Sequence, residues 1–366
     1  MKVPYSYLQD QFENPEAIFE DIRDLITSGK FTLGPAVTEF ETRFAELCGT
    51  RHAIGVGSGT DALFLSLKAL GIGPGDEVIT AANTFIATAG AIATTGATPV
   101  FVDCTEDFNI DPDLIEAAIT DRTKALLPVH YTGNPAQMSL IMSIARKWDL
   151  PVVEDACQAI GATINDRPVG SFGISGGFSL HPLKNLNVWG DGGVLVTNSD
   201  EMDRQVRLLR NHGLKNRNEV TCFGYNSRLD SLQAIVGNRM IDDVNWINQQ
   251  RIIHANRYSD AFSDLTDLIK TPPKRPADRH TFHLFILQAT DRDDLCTYLK
   301  RQGVDAKIHY PIPLHLQEAS RDLGYKKGDF PVAERQANSV VSLPVHQHLS
   351  HEQIDYTIEC VRRFYK

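Results

Sequence analysis

The sequence predicts an α/β protein with a large domain built on a mostly parallel sheet, residues 1–245, and a smaller C-terminal α+β domain, residues 246–366. Three observations carry this. Short apolar strand patterns alternate with helical ones from His52 to Met240, an order that lays parallel strands between covering helices. The chain has 366 residues, too many for one ordinary core, and 42% of them are apolar, enough to fill two. Near residue 245 the alternation stops: a long helical stretch is followed by Pro272, Pro273 and Pro276, and new strand material begins at His283.

Residues 15–29 place Ile18, Ile22, Leu25 and Ile26 at helical spacing, with Gly29 as a C-terminal cap, and a second helix is expected over 35–48. Both read as packing or dimer helices. A strand over 52–57 then meets Ser58-Gly-Thr-Asp61 and a helix carrying Ala62, Leu63, Leu65, Leu67 and Leu70. A strand, a turn of small residues and a helix start make an anion cradle, because backbone N–H groups and the positive end of the helix dipole face outward together. Gly59, Thr60 and Asp61 are the candidates for a phosphate, and Thr60 or Asp61 could instead serve only as a helix cap.

Strands are expected over 77–80, 98–103 and 124–130, with helices over 83–95 and 137–148. Phe85 opens the first of these helices, either as a core aromatic or as a ring stacked on a flat ligand. The buried-type strand 151–155 ends in Glu154 and Asp155, where ligands of such sheets collect, so Asp155 is a candidate catalytic acid or else a helix cap. From Gly176 to Gly193 a short apolar run ends at Lys184 among glycines. An amine held in a partly apolar turn can lose its proton and attack a carbonyl to form a Schiff base. A strand over 194–197 and helices over 201–212 and 231–240 complete the large domain. The small domain is read as helices over 251–265, 292–301 and 352–364, with strands from 283 and over 304–309.

A net charge of −10 without a basic run speaks against nucleic acid, which requires clustered Lys and Arg. The six cysteines show no Cys-x-x-Cys spacing, so neither a metal site nor a disulfide framework is expected. No apolar run approaches a membrane span and the first residues lack an apolar signal segment, which sets the expectation of a cytoplasmic protein without membrane contact.

A phosphate cradle, an aromatic plate, a strand-end carboxylate and a lysine are together what pyridoxal 5'-phosphate asks of its host. With Gly57-Ser-Gly-Thr-Asp-Ala62, Asn83-Thr-Phe-Ile-Ala-Thr88, Glu154-Asp-Ala-Cys-Gln158, Phe178-Ser-Leu-His-Pro-Leu-Lys-Asn185, Gly190-Asp-Gly-Gly193, Gly224-Tyr-Asn-Ser-Arg-Leu-Asp230 and His309-Tyr-Pro-Ile-Pro-Leu-His315, the chain resembles, nearly end to end, the DegT/DnrJ/StrS sugar aminotransferases of fold-type I. The resemblance implies that Lys184 carries the cofactor, Asp155 pairs with its pyridine nitrogen, Gln158 reaches its ring hydroxyl and Phe85 stacks on its face. It further implies that Thr60, Asp61 and Ser179 hold the phosphate, that Asn226 completes that site from a second subunit of a homodimer, and that His309, Tyr310 and His315 line the sugar pocket. By residue type alone those last three are ordinary loop residues, and His181 is either a substrate contact or a turn histidine. One branch of the family carries histidine in place of the lysine and dehydrates its substrate; Lys184 favours amino transfer. The expected reaction moves an amino group from an amino acid, taken as glutamate, to a keto sugar, taken as nucleotide-linked. A cyclitol or sugar-phosphate acceptor, or a cofactor-bound regulatory protein without turnover, are the alternatives. Leu180, Leu183, Asn187 and Trp189 depart from the common members around the lysine and bear on which sugar is used.

Overall fold

The computed structural model describes residues 1–366. Its central sheet runs β1 (His52–Val56), β2 (Glu77–Ala81), β3 (Thr98–Val102), β4 (Thr123–Leu126), β5 (Val153–Asp155), β6 (Ser175–Ser179) and β7 (Gly193–Thr197) in chain order. In space the order is β3-β2-β4-β5-β6-β7-β1, with the parallel bridges Leu126–Val152 and Val129–Asp155 joining β4 to β5. Only β7 runs antiparallel, to both β6 and β1, and the remaining pairs are parallel. Strands β2 and β7 are buried throughout, which is why their centres, Val78-Ile79 and Val194-Leu195-Val196, are apolar on both faces.

Strand β6 violates strand preference with Gly176 and Gly177, and the reason is close approach. A Cβ at Gly176 would stand 2.4 Å from the Cα of Gly170, and one at Gly177 would stand 2.8 Å from Leu63 Cδ2. The helix Glu16–Ser28 ends, as expected, at Gly29 with φ 67°. Helix Ile86–Thr94 begins later than the sequence pattern suggests, so Phe85 sits in extended backbone just before it.

The largest core cluster packs Phe40 and Phe44 against Phe178, Val194 and Val196 from the sheet. A second core joins Tyr258, Phe262, Phe285, Leu299, Val341 and Ile354, and Val3 from the chain's start belongs to it. The helix Val244–Ala261 runs through the expected boundary at 245. The strand expected over 304–309 is reduced to the isolated bridges Val3–Val304 and Lys307–Ser342. The partner of Phe285–Ala289 is instead Val340–Leu343, antiparallel, after a helix Pro331–Ser339 that the sequence pattern did not reveal. No helix is long and apolar enough to cross a membrane.

Candidate active site

The loops at the carboxyl ends of β1, β2, β5 and β6 open into a cavity of about 400 Å³, closed on the far side by residues of the chain's start and of the region beyond 245. Gly59, Thr60, Phe85, Ser179, His181, Lys184, His309 and Tyr310 all line it.

The cradle forms where β1 turns into the helix Gly59–Ala69. Ser58 is the cap: its Oγ accepts the amide of Asp61 at 3.1 Å. That bond consumes the Asp61 amide, which corrects the expectation that Asp61 offers a free donor, and neither Thr60 nor Asp61 is the cap. Gly59 and Thr60 keep the first outward-facing positions of the helix. Only glycine fits at 59, since a Cβ there would stand 2.7 Å from Ser179 Cβ and 2.8 Å from Cys157 Sγ.

The two strand-end carboxylates have different fates. Glu154, fully buried, accepts the amides of Gly170, Phe172 and Gly173 at 2.8, 2.7 and 2.6 Å and faces His130 Nε2 at 3.0 Å. His130 Nδ1 accepts the amide of Ala136 at 2.9 Å, which places the ring proton on Nε2, donating to Glu154. Glu154 is thereby spent on folding. Asp155, 5% exposed, accepts Thr88 Oγ1 at 2.7 Å and the amide of Cys157 at 3.1 Å. Thr88 in turn lies 2.9 Å from Thr84 Oγ1. This hydroxyl support was missed in the sequence, although Thr88 closes one of the quoted motifs.

Lys184 sits in a tight turn, its amide donating to His181 O at 2.8 Å. Its carbonyl accepts Tyr7 Oη and Asn187 Nδ2, each at 2.9 Å. Burial lowers the pKa of its amine, opposed by the Cys157 thiol and the Asp155 carboxylate. The backbone is fixed on both sides while the amine faces the cavity. Burial, with Lys184 adding to it, also lowers His181, while Asp191 opposes. Burial and Lys184 push His309 down to about 4, and its Nδ1 lies 2.8 Å from Ser342 Oγ. Phe85 stands 5.5 Å from the ring of Tyr310, whose phenol is raised by burial and by Asp155 and lowered by Gln158.

Five expected site residues stand outside the lining: Asp61 and Asp155, whose contacts are given above, and Gln158, Asn226 and His315. Gln158 is buried just behind it, its Oε1 accepting the amide of Thr132 at 2.7 Å. Asn226 is exposed in a turn bridged to Asn211. His315 does not reach the cavity: it is 2% exposed, with Nε2 3.0 Å from Glu334 Oε1 and its ring edge-on to Phe330, so the expectation that it contacts substrate is withdrawn. Conversely, the cavity includes Tyr5, Tyr7, Cys157, Arg251, His283 and His346, none of which the sequence singled out. Cys157 alone lay inside a recognisable motif; the others are brought in by tertiary folding.

The sequence profile of the DegT/DnrJ/EryC1/StrS aminotransferase family matches residues 13–362. Over 365 residues the chain is 40% identical to the dTDP-3-amino-3,4,6-trideoxy-alpha-D-glucose transaminase of Streptomyces venezuelae, covering 99% of this chain and 96% of that protein. It is 43% identical over 370 residues to a protein of Geobacillus stearothermophilus named pleiotropic regulatory protein, covering 100% and 99%. The crystal structure of S. venezuelae DesV in complex with a ketimine intermediate superposes with a TM-score of 0.97 at 40% identity, covering 100% of this chain and 99% of that one. A match over nearly all of the chain, in sequence and in fold, around a cavity lined by an amine and a helix-start cradle with a buried carboxylate close behind the amine, makes this protein a member of the DegT/DnrJ/EryC1/StrS aminotransferase family.

Proposed function

We propose that the protein moves the amino group of an amino acid, L-glutamate, to a nucleotide-linked keto sugar, with pyridoxal 5'-phosphate as cofactor. The observation that carries this is the single cavity shared by the Lys184 amine and the Gly59–Thr60 helix start, with the Asp155 carboxylate buried beside them. When bound, pyridoxal phosphate supplies a carbonyl for an amine to capture and a ring that draws electrons away from the substrate carbon.

The residues present fit it. The fit is tightest at Gly59, where the backbone is bare because any side chain would collide with Ser179 and Cys157. Gly59, Thr60 and Ser179 would hold the phosphate, Phe85 would cover one ring face, and Asp155, steadied by Thr88, would hold the pyridine nitrogen protonated. Gln158 has its oxygen engaged and its Nε2 available to donate to the ring hydroxyl. Lys184 would hold the cofactor covalently, and its Nζ, when free, would take the proton from the donor's α-carbon, a task suited to an amine whose pKa burial has lowered. His181, His309 and Tyr310 line the cavity and would face the sugar.

Asn226 matches a phosphate-binding position of the family yet is exposed and outside its own subunit's cavity. A role at the phosphate would therefore have to be played toward a neighbour, and the assembly proposed is a homodimer in which Asn226 of the partner subunit completes each site. The regulatory name of one relative favours a second reading, ligand binding without turnover; Lys184 and Asp155 both standing at the site argue against it. The deciding experiment loads the protein with amino groups from glutamate and presents nucleotide-linked keto sugars, free cyclitol ketones and keto-sugar phosphates in parallel. Transfer to the nucleotide-linked panel is expected. Transfer confined to the other two acceptors, or to none, would overturn the assignment.

A further inference from the structure

The cavity wall beyond residue 245 contains a charge without a counterion. Arg251 is 2% exposed, lines the cavity and forms no ion pair. Its Nε donates to Gln347 Oε1 at 3.2 Å, and its Nη1 donates to the carbonyls of Phe282 and His283, each at 3.2 Å. Its Nη2 is buried with no partner. The guanidinium lies 5.2 Å over the ring of Tyr7, and burial raises the phenols of both Tyr5 and Tyr7, so neither supplies a negative charge. Buried charges in folded proteins are paired or hold a ligand, because an uncompensated one is costly. Two more bare nitrogens belong to this wall: His283 Nδ1 and His346 Nδ1 are likewise buried without partners.

Arg251 is also tied to Lys184 by an unbroken chain of side-chain amides. Gln347 Nε2 donates to Gln11 Oε1 at 2.9 Å, Gln11 Nε2 donates to Asn187 Oδ1 at 2.8 Å, and Asn187 Nδ2 donates to the Lys184 carbonyl at 2.9 Å. With the bond from Gln347 to Arg251, three amides set the spacing between a guanidinium on one wall and the amine turn on the other. Each donates from nitrogen and accepts at oxygen, so the chain has one direction, and Asn187 Nδ2 also donates to Tyr7 Oη at 3.3 Å.

Resting on the reading of the protein as an amino-acid-dependent transaminase, we propose that Arg251 is the site for a carboxylate of the amino-acid donor, and that Gln347, Gln11 and Asn187 are positioning residues that hold this site at a fixed distance from Lys184. With Nε and Nη1 engaged, the bare Nη2 can donate a charge-assisted hydrogen bond to one carboxylate oxygen. The cofactor's phosphate has its own cradle at Gly59 and Thr60 on the opposite wall. The donor's α-carbon must come within reach of Lys184 Nζ, so its carboxylate has to find a cation in this same cavity. Arg251 is that cation, and its depth suits a small amino acid better than a bulky diphosphate.

The test uses the holoenzyme and an unreactive probe. Glutarate, a dicarboxylate without an amino group, and glutaramide, its uncharged counterpart, are titrated by calorimetry into the parent, Arg251→Met, Arg251→Lys and Gln11→Met. Glutarate binding and no glutaramide binding are expected of the parent, with affinity for glutarate falling about tenfold or more in Arg251→Met, the loss expected for one charged hydrogen-bonding partner. Arg251→Lys should recover part of it. In steady state Arg251→Met should raise KM for glutamate while leaving KM for the acceptor unchanged, and Gln11→Met should lower kcat more than it changes glutarate affinity. Melting curves of the same variants separate a purely structural bolt, which would lower the melting temperature without moving glutarate affinity. If Arg251→Met does not fold, Gln347→Met decides, with weaker glutarate binding in a folded protein as the expected result. Unchanged glutarate binding, or a raised KM confined to the acceptor, overturns the proposal. Glutamate that still reacts with the holoenzyme through Arg251 when no keto sugar is accepted would leave this site standing and remove only the assigned acceptor.

Discussion

On and directly behind the cavity wall made by the carboxyl ends of the strands, polar side chains are held by neighbours close in the fold: Ser58 by the amide of Asp61, Asp155 by Thr88 and the amide of Cys157, Glu154 by three amides and His130. On the facing wall, Arg251 Nη2, His283 Nδ1 and His346 Nδ1 have no partner at all. The first wall is preorganised by these contacts, as a permanent cofactor requires. The second keeps donors and acceptors in reserve, as a site visited by successive substrates requires, and it does so at a cost in stability that the surrounding core must offset. The division explains why replacements on the two walls should fail in different ways.

The sharpest break is Lys184→Ala, which removes the only amine of the first wall. Turnover should fall by at least about a thousandfold, because a group that both holds the cofactor and moves the proton has no substitute. The visible absorbance of bound cofactor should change with it. Lys184→Arg should be no better, since a guanidinium stays protonated and cannot condense with a carbonyl. A variant at either replacement with near-parental rate would sink the assignment of Lys184.

Adjacent residues then sharpen the distinction between a group held for chemistry and one spent on the fold. Asp155→Asn should leave the cofactor bound and slow the glutamate half-reaction about a hundredfold, the usual range for loss of a positioned ionised group. Stopped-flow absorbance measures this, and slowing within about tenfold, roughly 1.4 kcal/mol of barrier, would mean the carboxylate is structural. Glu154→Gln should do the reverse. It sets an amide against three backbone donors and His130, a buried mismatch that costs roughly 3 kcal/mol of stability. The melting temperature should drop while the half-reaction rate of folded protein stays near parental.

The same division decides what could be read from the sequence. Lys184, Asp155, Gly59, Thr60 and Ser179 stand in short motifs because each is positioned by a strand end and the turn after it. The sheet itself was legible because β2 and β7 are buried on both faces and carry consecutive apolar residues at their centres. Strand β6 did not show because its glycines serve close packing against Gly170 and Leu63, which no local pattern encodes. The facing wall gathers Tyr5, Tyr7, Arg251, His283 and His346 from segments hundreds of residues apart, so no spacing rule marks them. His315 misled in the opposite direction: it belongs to a family motif, yet Glu334 and Phe330 turn it into the core.

The smallest expected effect tests the facing wall by pH. Burial holds His346 down at about 3, with Arg251 adding to the depression, and the ring is only 3% exposed. Its Nε2 lies 3.0 Å from the Pro4 carbonyl, an acceptor only, so the ring proton resides there and Nδ1 is the bare nitrogen. Protonating Nδ1 would bury a second N–H without an acceptor beside a guanidinium. In the unfolded chain the same ring titrates near 6.5. Between these values the unfolded state binds more protons, so stability must fall as pH falls below about 6.5, by on the order of 2 kcal/mol for such a ring at about pH 5. The His280 ring, also held at about 3, and His309, held at about 4, add to the slope in the same direction. Thermal melts of the parent between pH 7 and 5 should show a steady loss, and His346→Gln should flatten part of it while lowering the melting temperature at pH 7. Gln can still donate to Pro4, so the variant changes the titration more than the contact. A pH slope identical to that of the parent would mean that His346 binds protons alike in the folded and unfolded chain, and the depressed titration assigned to it would be wrong.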